Sequence, residues 1–107
     1  TERKRESGRI LQKYVDRIPV VVDRGDAKTP SIDRHKFLVP SQCTAAEFQT
    51  IVRKRVKLSS DEALFFFVGY KGSVLMTGTT PISQLYKEHQ DEDGYLYIIY
   101  MKESTFG

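Results

Sequence analysis

Tryptophan is missing from this chain, and histidine, proline and cysteine are scarce: two, four and one respectively. A lone cysteine, Cys43, cannot close an intramolecular disulfide, so the fold must hold without that cross-link and suits a reducing compartment. His35 and His89 stand far apart in sequence and, with one thiol, supply no metal-ligand spacing. No signal or transit peptide is visible. The densest apolar run, Ala63 to Val68, is far short of the ~20 residues of a membrane span. Membrane attachment would therefore need a surface patch or a covalent lipid. A net charge of +3 is too mild for a dedicated nucleic-acid binder, yet it suits acidic peptides or anionic surfaces. No nucleophile lies beside a base. Cys43 reads as structural, and Asp91-Glu92-Asp93 as a solvated turn rather than a pair of catalytic carboxylates. No enzyme is expected, and no catalytic residue, metal or cofactor is assigned.

A chain of 107 residues is enough for one domain with a real core. Its plan centres on Thr44 to Val68. Thr44 and Glu47 have the capping-box spacing, so a helix is expected to start there. Phe48, Ile51, Val52 and Val56 recur on one helical face. Arg53, Lys54, Arg55 and Lys57 gather where the helix dipole favours cations. Ala63 to Val68 then reads as a strand buried on much of both faces.

Upstream, the charged segment Thr1 to Tyr14 is expected to be partly helical and frayed near Gly8. Its Arg3-Lys4-Arg5 run is read as a solvated face. Ile18 to Asp23 is a β-branched strand whose Pro19 belongs near a strand start or an edge. Lys36 to Pro40 is a second strand, so the two form a wide hairpin. Gly69 to Thr79 is a glycine-rich turn with room for a short strand at 73–76. Its Gly69-x-x-Gly72 beside Lys71 lacks the ending of a phosphate loop. Thr80 is expected to cap a short helix with Pro81 at its first position. Tyr95 to Tyr100 is the last strand. The order implies an α+β domain with a four-stranded mixed sheet wrapped on one long helix, the β-grasp arrangement of ubiquitin, behind an N-terminal helical extension. We divide it into 1–14 (helical segment), 15–103 (ubiquitin-like domain) and 104–107 (tail).

Several strings then coincide with one family. Lys13-Tyr14, Asp16-Arg17-Ile18-Pro19-Val20, Lys36-Phe37-Leu38-Val39-Pro40-Ser41, Arg53-Lys54-Arg55, Ala63 to Val68, Gln84 to His89, Asp91 to Tyr97 and the closing Phe106-Gly107 occur in order at nearly the family's spacing. From about Glu6 onward the chain resembles the autophagy ubiquitin-like modifiers, the group of the GABA-receptor-associated protein and microtubule-associated light chain 3. The resemblance implies a protein cut by a cysteine protease to expose a terminal glycine. Activating and conjugating enzymes then join that glycine to phosphatidylethanolamine on the autophagosome membrane. Gly107 would be that residue. With nothing after Gly107, the chain is expected to be already processed or to need no cleavage. The protein would be cytoplasmic, and on autophagosomes when lipidated.

The resemblance also implies docking of aromatic-x-x-aliphatic peptides from cargo receptors, added as a strand along residues 36–39. Glu6, Ile10, Pro19, Lys36, Leu38 and Tyr95 would line the aromatic pocket. Phe37, Val39, Pro40, Cys43, Phe48 and Ile51 would line the aliphatic one. Arg17, Lys36 and Arg55 would draw the acidic flank. Plain core packing accounts for part of Phe48 and Ile51. Because Phe37 and Val39 alternate with Lys36 and Leu38, one core cannot bury both sets. Cys43 stands where the family usually has leucine, and Tyr95 where it commonly has phenylalanine. The alternatives are the sister modifier joined to a protein lysine and a single-stranded RNA binder stacking bases on Tyr95, Tyr97 and Tyr100. The latter lacks the expected RNA-binding signature and element order. We expect a monomer with no nucleic-acid partner.

Overall fold

A computed structural model describes residues 1–13, 16–56, 62–69, 74–76 and 78–102, with side chains for all of these except 10–13. Along the chain run α1 (Glu2–Lys13), β1 (Arg17–Arg24), β2 (Lys36–Pro40), α2 (Ala45–Arg55), β3 (Leu64–Val68), β4 (Val74–Leu75), α3 (Ile82–His89) and β5 (Leu96–Lys102). Their sheet has the order β2-β1-β5-β3-β4. Only the β1–β5 pair is parallel. The ubiquitin-like plan holds, with one strand more than the expected four. Short β4 pairs Val74 with Val68 and Leu75 with Phe67 at the far edge.

Strand alternation sorts the side chains to two faces. Ile18, Val20 and Val22 of β1, Phe37 and Val39 of β2, Phe66 and Val68 of β3, and Leu96, Ile98 and Tyr100 of β5 point inward. There they meet Phe48 and Val52 of α2 and Ile82 and Leu85 of α3, forming the main core. On the opposite face Val21, Tyr95 and Tyr97 form a second, small cluster. Helix α1 lies on that side, so this half of the domain has three layers rather than two.

Local sequence sets the start of α2. Thr44 is extended, its Oγ1 accepts the Glu47 N–H at 3.2 Å, and the Glu47 carboxylate accepts the Thr44 N–H at 3.1 Å. These bonds satisfy donors that a first helical turn leaves open. The start of α3 differs from expectation. Pro81, not Thr80, is the N-cap, and it makes no side-chain cap bond. Instead the Ala45 N–H donates to the Thr80 carbonyl and the Ile82 N–H to the Cys43 carbonyl, each at 2.8 Å. The two helix N-termini satisfy each other across the chain.

Two further expectations change. Helix α1 runs unbroken through Gly8, because tertiary bonds hold the turns that lead into that residue. The Ser7 hydroxyl donates to the Asp93 carbonyl at 2.6 Å, and Arg3 donates to the Tyr97 hydroxyl at 2.7 Å. Gly94 makes that close approach possible: its φ is +88°, and a Cβ there would stand 2.2 Å from the Ser7 Oγ. Strand β3 is not buried on both faces. Phe65 is 43% exposed, since α1 covers the β1 and β5 side of the outer face and stops short of β3.

Candidate functional site

Strand β2 is an edge, and its hydrogen-bond register decides what it offers. The Val22 N–H donates to the His35 carbonyl at 2.8 Å, and the Ser41 N–H to the Asp16 carbonyl at 2.9 Å. Antiparallel alternation then turns the backbone groups of Phe37 and Val39 toward β1 and those of Lys36, Leu38 and Pro40 outward. Pro40 has no N–H, and its carbonyl accepts from Cys43 at 3.0 Å. The Lys36 carbonyl accepts from the Arg34 guanidinium at 2.9 Å. Leu38 faces outward with both its N–H and its carbonyl.

The side chains of this edge alternate between opposite faces of the sheet. On the outer face, a pocket of about 180 Å³ is lined by Glu6, Arg34, Lys36, Phe37, Leu38 and Tyr95. Pro19, buried, stands opposite Leu38 across the strand pair. Ile10 belongs to the same helix, but its side chain lies outside the described residues. At the mouth, the Lys36 ammonium donates to both Glu6 oxygens at 2.9 and 3.0 Å, and the Tyr95 hydroxyl donates to Glu6 Oε1 at 2.5 Å. The bond from Tyr95, then that from Lys36, holds the Glu6 carboxyl below the usual carboxylate range. Burial, followed by the same bond to Glu6, pushes the Tyr95 phenol well above its ordinary value.

On the inner face Phe37, Val39 and Phe48 belong to the core. The Phe37 and Phe48 rings meet edge to face with centroids 5.7 Å apart. Phe48 is wholly buried, so it is a floor beneath Phe37 rather than a surface contact. Cys43 is half-buried and packs against the core, whereas Ile51 is 40% exposed on α2. Burial raises the Cys43 thiol above its ordinary value, the opposite of a reactive thiolate. Arg34 and Arg55 place their guanidinium carbons 5.5 and 5.6 Å from the Phe37 ring centroid, a cationic collar around the upper part of the edge. Arg55 also lies 3.5 Å from Asp33. Arg17 and Pro40 are exposed at the lower end, beside a hollow of about 300 Å³ that they share with Asp16, Ser41 and Gln42. Gly107 lies outside the described residues.

The structure thus brings together Glu6, Lys36, Leu38 and Tyr95 on one side of β2, and Phe37 and Phe48 on the other with Cys43 packed against the same core, whereas Ile51 is exposed on α2. Sequence reasoning missed Arg34 in the collar and the residues that seat α1. Asp93, read as part of a solvated turn, accepts the Tyr97 hydroxyl and, at 2.9 Å, the Tyr95 N–H, while its carbonyl takes Ser7. A serine within a charged helical run was the available signal. A larger open hollow of about 810 Å³ lies between the start of α1 and the 91–93 turn. Its Arg3, Asp93 and Tyr97 are already bonded to one another, so the smaller pocket on β2 is the better candidate. The three tyrosines that an RNA platform would need are all buried, Tyr100 completely, which removes that alternative.

A free edge strand on a ubiquitin-like sheet, flanked by a helix on each face, can now be compared with known proteins. The family described as "Autophagy protein Atg8 ubiquitin like" matches residues 2–107. The chain belongs to the Atg8 family. It is 47% identical over 107 residues to Autophagy-related protein 8e of Arabidopsis thaliana, covering 99% of this chain and 85% of the plant protein. Autophagy-related protein 8 of Mycosarcoma maydis is also 47% identical, with 99% and 88% covered. The crystal structure of Trypanosoma brucei ATG8 superposes with a TM-score of 0.86 at 33% identity, covering 99% of this chain and 90% of that one. The protein is therefore a ubiquitin-like protein of autophagy, and its partners belong to the autophagy machinery. No helix among the described residues is long and apolar enough to cross a membrane.

Proposed function

We propose that this Atg8-family protein docks acidic aromatic-x-x-aliphatic peptides along β2 and is joined through Gly107 to phosphatidylethanolamine. One observation carries the docking half: β2 is a free edge with a pocket on its outer face, while half-buried Cys43 and exposed Ile51 offer apolar surface on the α2 side. Side chains an odd number of positions apart leave an extended peptide on opposite faces. The i, i+3 spacing of the motif therefore sends its two anchors to opposite faces of the edge, and an i, i+2 spacing does not. Leu38 supplies the outward backbone donor and acceptor for strand addition. Lys36, Arg34 and Arg55 supply positive charge for the acidic flank.

The test is a calorimetric titration with an acidic-flanked Trp-x-x-Leu peptide and a Trp-x-Leu control. The i, i+3 peptide binds and the control does not. Leu38→Ala weakens binding about tenfold, a loss of the size expected for an interface anchor, and Lys36→Ala steepens the loss for the acidic flank. Equal binding of both peptides, or full affinity in Leu38→Ala, puts docking elsewhere.

For the conjugation half, a carboxylate is a poor electrophile and must be activated. A nucleoside triphosphate converts the Gly107 carboxylate to an acyl adenylate, releasing pyrophosphate. An enzyme thiolate displaces the nucleoside monophosphate to give a thioester. The lipid amine then attacks that carbonyl, forming the amide and returning the thiol. A side-chain-free residue presents the least bulk to each of these narrow sites. Family membership and the presence of the Phe106-Gly107 pair support this reading. Reconstitution with activating and conjugating enzymes, ATP and phosphatidylethanolamine vesicles yields a lipid adduct by intact mass, absent when Gly107 is deleted. An adduct on protein lysine alone assigns the chain to the sister chemistry. The unconjugated protein would be cytoplasmic and the conjugate would sit on autophagosomes.

A further inference from the structure

Among the described residues only two buried side chains are polar, Ser7 and Thr29. Ser7 seats α1. Thr29 lies in the loop between β1 and β2, where residues 23–28 are exposed, yet it is itself only 1% exposed. Its hydroxyl donates to Asp26 Oδ1 at 2.7 Å and its N–H to the same oxygen at 2.9 Å. Its carbonyl accepts from Arg24 at 3.1 Å. Its Oγ1 then accepts the backbone N–H of Lys102, the last residue of β5, at 2.9 Å.

The register explains why that last bond matters. The Gly69 N–H donates to the Tyr97 carbonyl at 2.9 Å, so Tyr97, Ile99 and Met101 bond toward β3, and Ile98, Tyr100 and Lys102 bond toward β1. Strand β1 ends at Arg24, opposite Tyr100, after which the Gly25 N–H donates to the Tyr100 carbonyl at 2.8 Å. Beyond that point Lys102 has no strand beside it on this side. The Thr29 hydroxyl supplies the missing rung. The same loop closes on β5 twice more: the Tyr100 hydroxyl donates to the Pro30 carbonyl at 2.7 Å, and Gly25 packs so tightly on Met101 that a Cβ there would fall 2.3 Å from its Cγ. The 24–30 loop is a clasp around residues 100–102 of the final strand, and Lys102 stands five residues before Gly107 in the sequence.

We propose that Thr29 is a positioning residue for conjugation: its Oγ1 fixes the root of the C-terminal tail, and with it the reach and direction from which Gly107 enters its enzymes. This rests on the Gly107 reading above. Without the rung, Lys102 loses its β1-side bond and its backbone is less ordered. That backbone must then be ordered each time the tail is bound. One backbone bond of this kind corresponds to about a 2- to 10-fold change. It falls on KM for the activating enzyme, because the chemistry at the Gly107 carboxyl is unchanged.

The test is the reconstituted lipid transfer, run with Thr29→Val and Thr29→Ser, with amide hydrogen exchange at Lys102 and peptide binding at β2 read alongside. Thr29→Val raises KM about 2- to 10-fold, exposes the Lys102 amide to exchange and leaves peptide affinity unchanged. Thr29→Ser, which keeps the oxygen, stays near wild type in all three. Should Thr29→Val fail to fold, the strand side of the bond decides the matter. Lys102→Pro removes the N–H and raises KM, and Lys102→Ala, which keeps the N–H and loses the ammonium with its 2.9 Å ion pair to Glu62, does not. Transfer at the wild-type KM by Thr29→Val, or equal effects of Lys102→Pro and Lys102→Ala, overturns the inference alone. A wild-type chain that gives no lipid adduct overturns the Gly107 reading, and this inference with it.

Discussion

At the residue scale, Glu6 is the busiest side chain of the candidate site. It takes the Lys36 ammonium and the Tyr95 hydroxyl together, so α1, β2 and the residue leading into β5 meet on one carboxylate. Because those bonds favour its charged form, the folded state holds the Glu6 carboxyl below its unfolded value. The linked stability is therefore fully present above that unfolded value, about pH 4.3, and is lost as pH falls through the lower folded one. Urea denaturation at stepped pH should show Glu6→Gln and wild type converging on acidification and separating above it. A constant gap across the range would mean that the Glu6 carboxylate plays no part. Glu6 is well exposed, so the gap is small.

At the scale of single elements, the capping box of α2 is the most local device in the molecule and was the easiest to read. Thr44 and Glu47 meet through three positions of chain and need nothing else. Thr44→Ala should lower stability by about 1 kcal/mol, measured by chemical denaturation, and Glu47→Ala added to it should cost little more, since the pair acts as a unit. The alternation of β2 was equally legible: Phe37 and Val39 fall inward, and Lys36 and Leu38 outward. Features fixed by partners distant in sequence were not. Gly8 looked like a point of fraying, and the Ser7–Asp93 and Arg3–Tyr97 bonds, with those of Glu6, override it. Pro81 caps α3 because Thr80 gives its carbonyl to α2. Phe65 looked buried because composition cannot say how far α1 reaches across the sheet. Nothing in the sequence marks Arg34, which bonds the edge and faces the Phe37 ring.

At the scale of the whole molecule, the two faces of the sheet have separate duties. The inner core contains most of the buried apolar side chains, whereas the outer cluster has only Val21, Tyr95 and Tyr97 beneath α1. A chain lacking residues 1–13 should still unfold cooperatively, at a lower midpoint, in thermal circular dichroism. It should bind the Trp-x-x-Leu peptide about tenfold more weakly, because the Glu6 wall of the outer pocket goes with the helix. Loss of cooperative unfolding would show instead that α1 belongs to the core. The division explains why the fold was readable from periodicity while the pocket was not. Periodicity reports the inner face, and the outer face is assembled by polar contacts between residues some ninety positions apart.

The backbone pattern of β2 also bears on what two copies can do to each other. An exposed edge is ordinarily a template for edge-to-edge pairing and aggregation. If two such edges met antiparallel about Leu38, each Lys36 would face a Pro40. Proline brings no donor to that rung, and the carbonyls on both sides of it are already occupied by Arg34 and Cys43. Two like-charged collars would also be pressed together. A twin therefore finds a single usable rung and electrostatic opposition, while a short acidic strand without proline finds attraction. The edge is selective against itself, which lets the protein keep a sticky surface without polymerising.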